Sequence, residues 1–129
     1  MILIMTTLVA TLSSGKGTWA QLVEIIKGAD WEKVILITNQ FGKENFKHDN
    51  VKLVVLDTNK SPDILCDEIV AALHDEKLGT EVAINISSGT GNEHMALLSA
   101  LLKLGLGIRF VFSKNGKVEE LKLFNFSFD

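Results

Sequence analysis

Apolar and polar positions along this chain follow two rhythms that trade places several times. Residues 3–11 (LIMTTLVAT) are apolar and β-rich almost throughout, the pattern of a strand covered on both faces. Residues 18–28 then place Trp19, Leu22, Val23, Ile25 and Ile26 near helical spacing, with Gly28 as a stop. VILIT (34–38) and VKLVVLD (51–57) predict a second and a third strand; the polar stretch between them, FGKENFKHD, has room for a short helix. Ser61-Pro62-Asp63 opens a helix that runs to about His74, with serine as N-cap and proline in the first turn. EVAINI (81–86) is a fourth strand, followed by a helix over 92–104. Strands at 107–113 and 118–124 flank Lys114-Asn115-Gly116-Lys117, whose Asn-Gly pair predicts a hairpin.

Strands alternating with helices imply right-handed crossovers and helices on both faces of a mostly parallel sheet. The expected fold is α/β, a Rossmann-like three-layer sandwich with a six-stranded sheet in the order 3-2-1-4-5-6 and a C-terminal β-hairpin. In that order strands one and four are neighbours where the winding reverses. The loops after them, Ser13–Gly17 (SSGKG) and Ser87–Gly91 (SSGTG), then lie side by side at the carboxyl edge, where such sheets bind ligands.

Composition narrows the picture. The 129 residues, 47% of them hydrophobic, suit one domain over residues 1–129 with a sizeable core. A net charge of −3 gives no general attraction for nucleic acid, so direct DNA binding is not expected and any anion site is local. Cys66 stands alone, which excludes an internal disulfide and a cysteine-cluster metal site. The apolar start lacks a basic segment and a small-residue cleavage site, and reads as a strand rather than a signal peptide. The longest apolar stretch, 95–112, contains Lys103, Gly105, Gly107 and Arg109 and is no membrane span. A cytoplasmic protein with no membrane partner is expected.

The twin loops suit a phosphate or another polar anion. Their glycines let backbone N–H groups approach a ligand, their hydroxyls add donors, and each following helix points its positive end at the crevice. Lys16 adds a positive charge. SSGKG is not a Walker loop, which would need Gly at Ala10 and Ser or Thr at Gly17; neither loop contains G-x-G-x-x-G, so an ordinary ATPase or dinucleotide dehydrogenase is not expected. Ser13, Thr18, Ser87 and Thr90 double as N-cap candidates, and the four loop glycines as tight-turn residues. Asn39, after the second strand, and Asp57 to Asn59, after the third, stand at the same edge, where Asn and Asp are ordinary turn residues; Asn39 joins the candidate set. Trp19 and Trp31 read as core or interface. His48 and His74 lack metal-ligand spacing and read as surface, and neither a metal nor a cofactor is expected.

Asn85-Ile86-Ser87-Ser88-Gly89-Thr90, ending a strand and leading to Met95-Ala96-Leu97-Leu98, resembles the N-x-[ST]-G-G-T-K-x-M-A signature of CARF domains, the CRISPR-associated Rossmann folds. Ala10-Thr11-Leu12-Ser13-Ser14-Gly15 is similar to the first ligand loop of that family. Two departures stand out: Ser88 occupies the place of the first glycine, and Gly91-Asn92-Glu93-His94 separates Thr90 from Met95 by two residues more than the signature, with no Lys after Thr90. The resemblance implies a two-fold homodimer that binds a cyclic oligoadenylate in type III CRISPR antiviral signalling. Cyclic tetra-adenylate, which can itself be two-fold symmetric, is the expected ring. The ligand-binding set it implies is Thr11, Ser13, Ser14, Gly15, Lys16, Gly17, Asn39, Asn85, Ser87, Ser88, Gly89, Thr90, Gly91 and Asn92.

Some proteins of this family are ring nucleases, which open the ring without a metal by attack of a ribose 2′-OH on the adjacent phosphate. For that reaction Lys16 is the candidate for charge stabilisation and His94 for proton transfer, with Ser14 and Ser88 as further donors. Three readings stay open: a sensing module, a stand-alone ring nuclease, and a dimeric scaffold that binds no ring. The helix MALLSALLKLG, apolar on nearly every face, is expected to meet the sheet on one side and a partner subunit on another.

Overall fold

Alternation along the first strand decides which layer each side chain joins. In the computed structural model, which describes residues 6–13 and 15–122, β1 (Thr7–Leu12) is buried along its whole length. Leu8, Ala10 and Leu12 enter one core, and Val9 enters the other, as the period of two requires. A strand covered on both faces belongs inside a parallel sheet. β1 pairs in parallel with β2 (Lys33–Thr38) on one side and with β4 (Glu81–Asn85) on the other. β3 (Lys52–Val55) extends the sheet beyond β2, and β5 (Gly107–Lys114) beyond β4. β6 (Lys117–Glu120) runs antiparallel to β5, and the order is β3-β2-β1-β4-β5-β6, as the sequence predicts. The β5–β6 turn puts Asn115 and Gly116 at φ +54° and +75°, the conformation for which an Asn-Gly pair is suited.

A 3₁₀ turn at Lys16–Thr18 leads into α1 (Trp19–Lys27), which lays Leu22, Ile25 and Ile26 on the Leu8 face. α2 (Gln40–Asn45) is the short helix after β2, and Phe46 just beyond it joins the same core. α3 (Pro62–Leu73) and α4 (Gly91–Lys103) cover the opposite face, packed against each other and against Val9, Ile35, Val82 and Ile84. Expected and observed elements agree in type throughout. The first expected strand begins at residue 3 and the last ends at residue 124, so residues 3–5 and 123–124 of these expectations lie outside the described residues.

The apolar circumference of α4 has a partner that the sequence reading did not assign. Ala96, Leu97, Ala100 and Leu101 are buried between the sheet and Leu65, Ile69 and Leu73 of α3. Leu97 and Leu101 each contribute roughly 1.5–3 kcal/mol by leaving water. Met95 and Leu102, two turns apart, remain 54% and 66% exposed. No helix among the described residues is long and apolar enough to cross a membrane.

Candidate functional site

Ala10 of β1 stands opposite Asn85 of β4, so the two loops leave the sheet beside each other at its carboxyl edge. Ser88 bolts them together. The Thr11 hydroxyl donates to the Ser88 carbonyl, and the Ser88 hydroxyl accepts from the Ser13 amide at 2.8 Å and lies 3.4 Å from the Ser13 hydroxyl. The same Ser88 carbonyl is 2.8 Å from His94 Nε2. A carbonyl oxygen only accepts, so Nε2 carries the hydrogen, and Nδ1 is the nitrogen left to exchange a proton. Ser88, a departure from the CARF signature, is buried and serves as the joint between the loops.

Of the four loop glycines, Gly89 alone is required by the backbone. Its φ is +105°, and a Cβ there would lie 2.8 Å from Glu93 Oε1, 3.1 Å from His94 Nε2 and 3.3 Å from Thr11 Cβ. Gly15, Gly17 and Gly91 have ordinary φ, and an added Cβ would meet nothing within 4 Å. Their lack of a side chain is therefore available to a ligand rather than demanded by the turn.

The end of β1 is held from below. Thr38 Oγ1 donates to the Leu12 carbonyl at 2.6 Å, and Trp19 Nε1 to the Ser13 carbonyl at 3.0 Å. The Trp19 ring stands edge-on to Phe46 with centroids 5.5 Å apart and tilts against Phe41 at 6.0 Å. Trp19, expected in the core or an interface, thus also positions the first loop. Gly42 of α2 lies against Thr38 so closely that a Cβ would collide with its hydroxyl.

Above this base lies an open cleft of about 720 Å³, within the range of small-ligand sites. Ser13, Asn39, Asp57, Asn59, Thr90 and Glu93 are among its walls. Asn39 caps α2, its Oδ1 accepting from the Gly42 amide at 3.0 Å. Thr90 caps α4, its Oγ1 accepting from the Glu93 amide at 3.2 Å, which leaves the first-turn amides of Gly91 and Asn92 without intrahelical partners. Asp57 Oδ1 accepts from the Asn59 amide at 3.1 Å, so this segment is both turn and wall. Asp57 and Glu93 are the charged side chains among the described residues lining the cleft; neither was in the candidate set.

The remaining candidates fall elsewhere. Asn85 is buried, and its Nδ2 donates to the Val111 carbonyl at 2.8 Å and to Ser87 Oγ at 3.1 Å, bracing β4 against β5. With Ser87 it borders a separate recess of about 300 Å³ beside Phe110 and Phe112. Gly15, Gly17, Gly91 and Asn92 are exposed on the two loops. Ser14 and the Lys16 side chain lie outside the described residues.

No protein-family model and no curated protein matches the sequence. Among solved structures, the chain is similar to Csm6 from Enterococcus italicus bound to cyclic hexa-2′-fluoro-hexa-dAMP, with a TM-score of 0.53 and 14% identity over 89% of this chain. The fold is CARF-like. The chain spans 35% of the length of that Csm6, and at this identity the likeness is one of fold. The CARF resemblance read from residues 85–90 is borne out at that level.

Proposed function

We propose that this chain is a CARF-like module that binds a cyclic oligoadenylate, cyclic tetra-adenylate in the first instance, as a two-fold dimer in cytoplasmic type III CRISPR signalling. The observation that carries the reading is the joint at Ser88. It sets the two ligand-like loops side by side at the edge of a polar cleft that Ser13 and Thr90 help to line, and the exposed glycines of the loops offer backbone amides to phosphates. The solved Csm6 neighbour, of the same fold, holds a cyclic hexanucleotide. Met95 and Leu102 on the outer face of α4 support a second copy of the chain as partner.

Sensing is favoured over cleavage because His94 Nε2 is committed to the Ser88 carbonyl, which leaves only Nδ1 of that ring for proton transfer. The test is incubation with cyclic tetra-adenylate and cyclic hexa-adenylate without metal, following binding by calorimetry and product by chromatography. Micromolar or tighter binding with the ring recovered intact supports the reading. Linear di-adenylate as product assigns a ring nuclease, and the absence of binding leaves a scaffold.

A further inference from the structure

Glu93, the third residue of α4, is only 9% exposed and lies in the wall of the cleft. A carboxylate in a first turn is favoured by the positive helix end, but a solvated one would serve that purpose. Thr90-x-x-Glu93 also has the spacing of a capping box, in which the glutamate closes back on the N-cap amide. Only half of the box forms: the Glu93 amide donates to Thr90 Oγ1, while the carboxylate makes no hydrogen bond and no ion pair among the described residues. Its Oε1 is instead packed over Gly89, at the joint of the two loops. The carboxylate oxygens keep contact with the water of the cleft, so a ligand that displaces this water has to supply a hydrogen-bond donor in its place.

Phosphodiester oxygens only accept hydrogen bonds. In a cyclic oligoadenylate the donors are the base amino group and the ribose hydroxyl. We infer that Glu93 receives a hydrogen-bond donor of the nucleoside and repels phosphate from its end of the cleft, so that it sets which rings are accepted. The inference rests on the cyclic-oligoadenylate reading above. It divides the site: phosphates meet the loop amides, and a nucleoside edge meets Glu93.

The test titrates the full chain, and its Glu93→Gln and Glu93→Ala variants, with three rings: cyclic tetra-adenylate, the unsubstituted-purine ring that lacks the amino group, and the 2′-fluoro ring that replaces the hydroxyl. The wild type is expected to prefer the adenylate ring by at least about tenfold, or about 1.4 kcal/mol, over one analogue. Preference over the unsubstituted-purine ring names the base amino group as donor, and preference over the 2′-fluoro ring names the hydroxyl. Both variants are expected to bind the adenylate ring about tenfold more weakly and to lose the preference. Wild-type protein that binds all three rings equally overturns the inference whether or not the variants fold, as do variants that bind as tightly as wild type or tighter. Failure of the wild type to bind any ring instead overturns the cyclic-oligoadenylate reading itself.

Discussion

The hydroxyl of Thr11 donates to the carbonyl of Ser88, two groups 77 residues apart in the chain. This bond, with the Ser13 amide on the Ser88 hydroxyl, turns two similar loops into one rigid edge. Because Thr11 is buried at the end of β1, water does not compete for the bond.

Thr11→Val keeps the shape and removes the donor, leaving the carbonyl with His94 alone. The expected loss is about 1 kcal/mol of unfolding free energy, read by urea denaturation as a lower midpoint with an unchanged slope. Ring binding is expected to weaken as well, since the loops then move independently.

Gly89→Ala and Gly91→Ala separate backbone need from ligand access. The first forces a side chain into φ +105° and against Glu93 Oε1, at a cost of about 1–3 kcal/mol. The second adds a methyl to open space at the start of a helix and is expected to change stability by less than about 0.5 kcal/mol. Thermal unfolding of the two variants distinguishes them.

Gly17→Ala is expected to melt like the wild type, because its Cβ meets nothing within 4 Å. Where the backbone must approach a phosphate, the same methyl is expected to lower ring affinity about tenfold, equivalent to about 1.4 kcal/mol. Calorimetry beside a melting curve reads both effects, and undiminished affinity places the ligand away from the first loop.

Met95→Glu and Leu102→Glu put charge on the outer face of α4, where both side chains are exposed. The monomer fold loses little by either change. In sedimentation equilibrium the wild type is expected as a dimer and the double variant as a monomer; identical masses contradict a dimer built on this face.

Far from the cleft, Glu76 is held below the ordinary glutamate range by hydrogen bonds from Lys52 and Lys33, at the starts of β3 and β2. A carboxyl group depressed in the folded state stabilises fully above its unfolded value and loses that contribution as pH falls through the folded one. Lys52 is half exposed, so screening holds the contribution of each pair below about 1 kcal/mol. The stability difference between wild type and Glu76→Gln is therefore expected to be present at pH 7, to shrink below the unperturbed value of 4.5, and to fall further with added salt.

The layers and the strand order were legible because each element carried its own period, and the hairpin because Asn115-Gly116 meets a conformational demand two residues long. The site was legible in outline, since strand order alone brings the ends of β1 and β4 together. Its chemistry was less so. Asn85 matched a ligand signature, yet its amide is spent on the Val111 carbonyl, a contact set by the β4–β5 register. Glu93 entered the sequence reading only as part of the Gly91–His94 insertion, because its burial depends on Gly89 and on a joint made across 77 residues. Asp57 and Asn59 were read as turn residues, and only the parallel register of β2 and β3 makes their turn a wall of the cleft.

The most direct test of the central claim is a ¹⁵N-resolved NMR titration with cyclic tetra-adenylate. Amide shifts concentrated in residues 13–18 and 87–94, saturating at one ring per two chains, are the expected result. No shift change at saturating ring, or changes confined to surfaces away from these two loops, would contradict it.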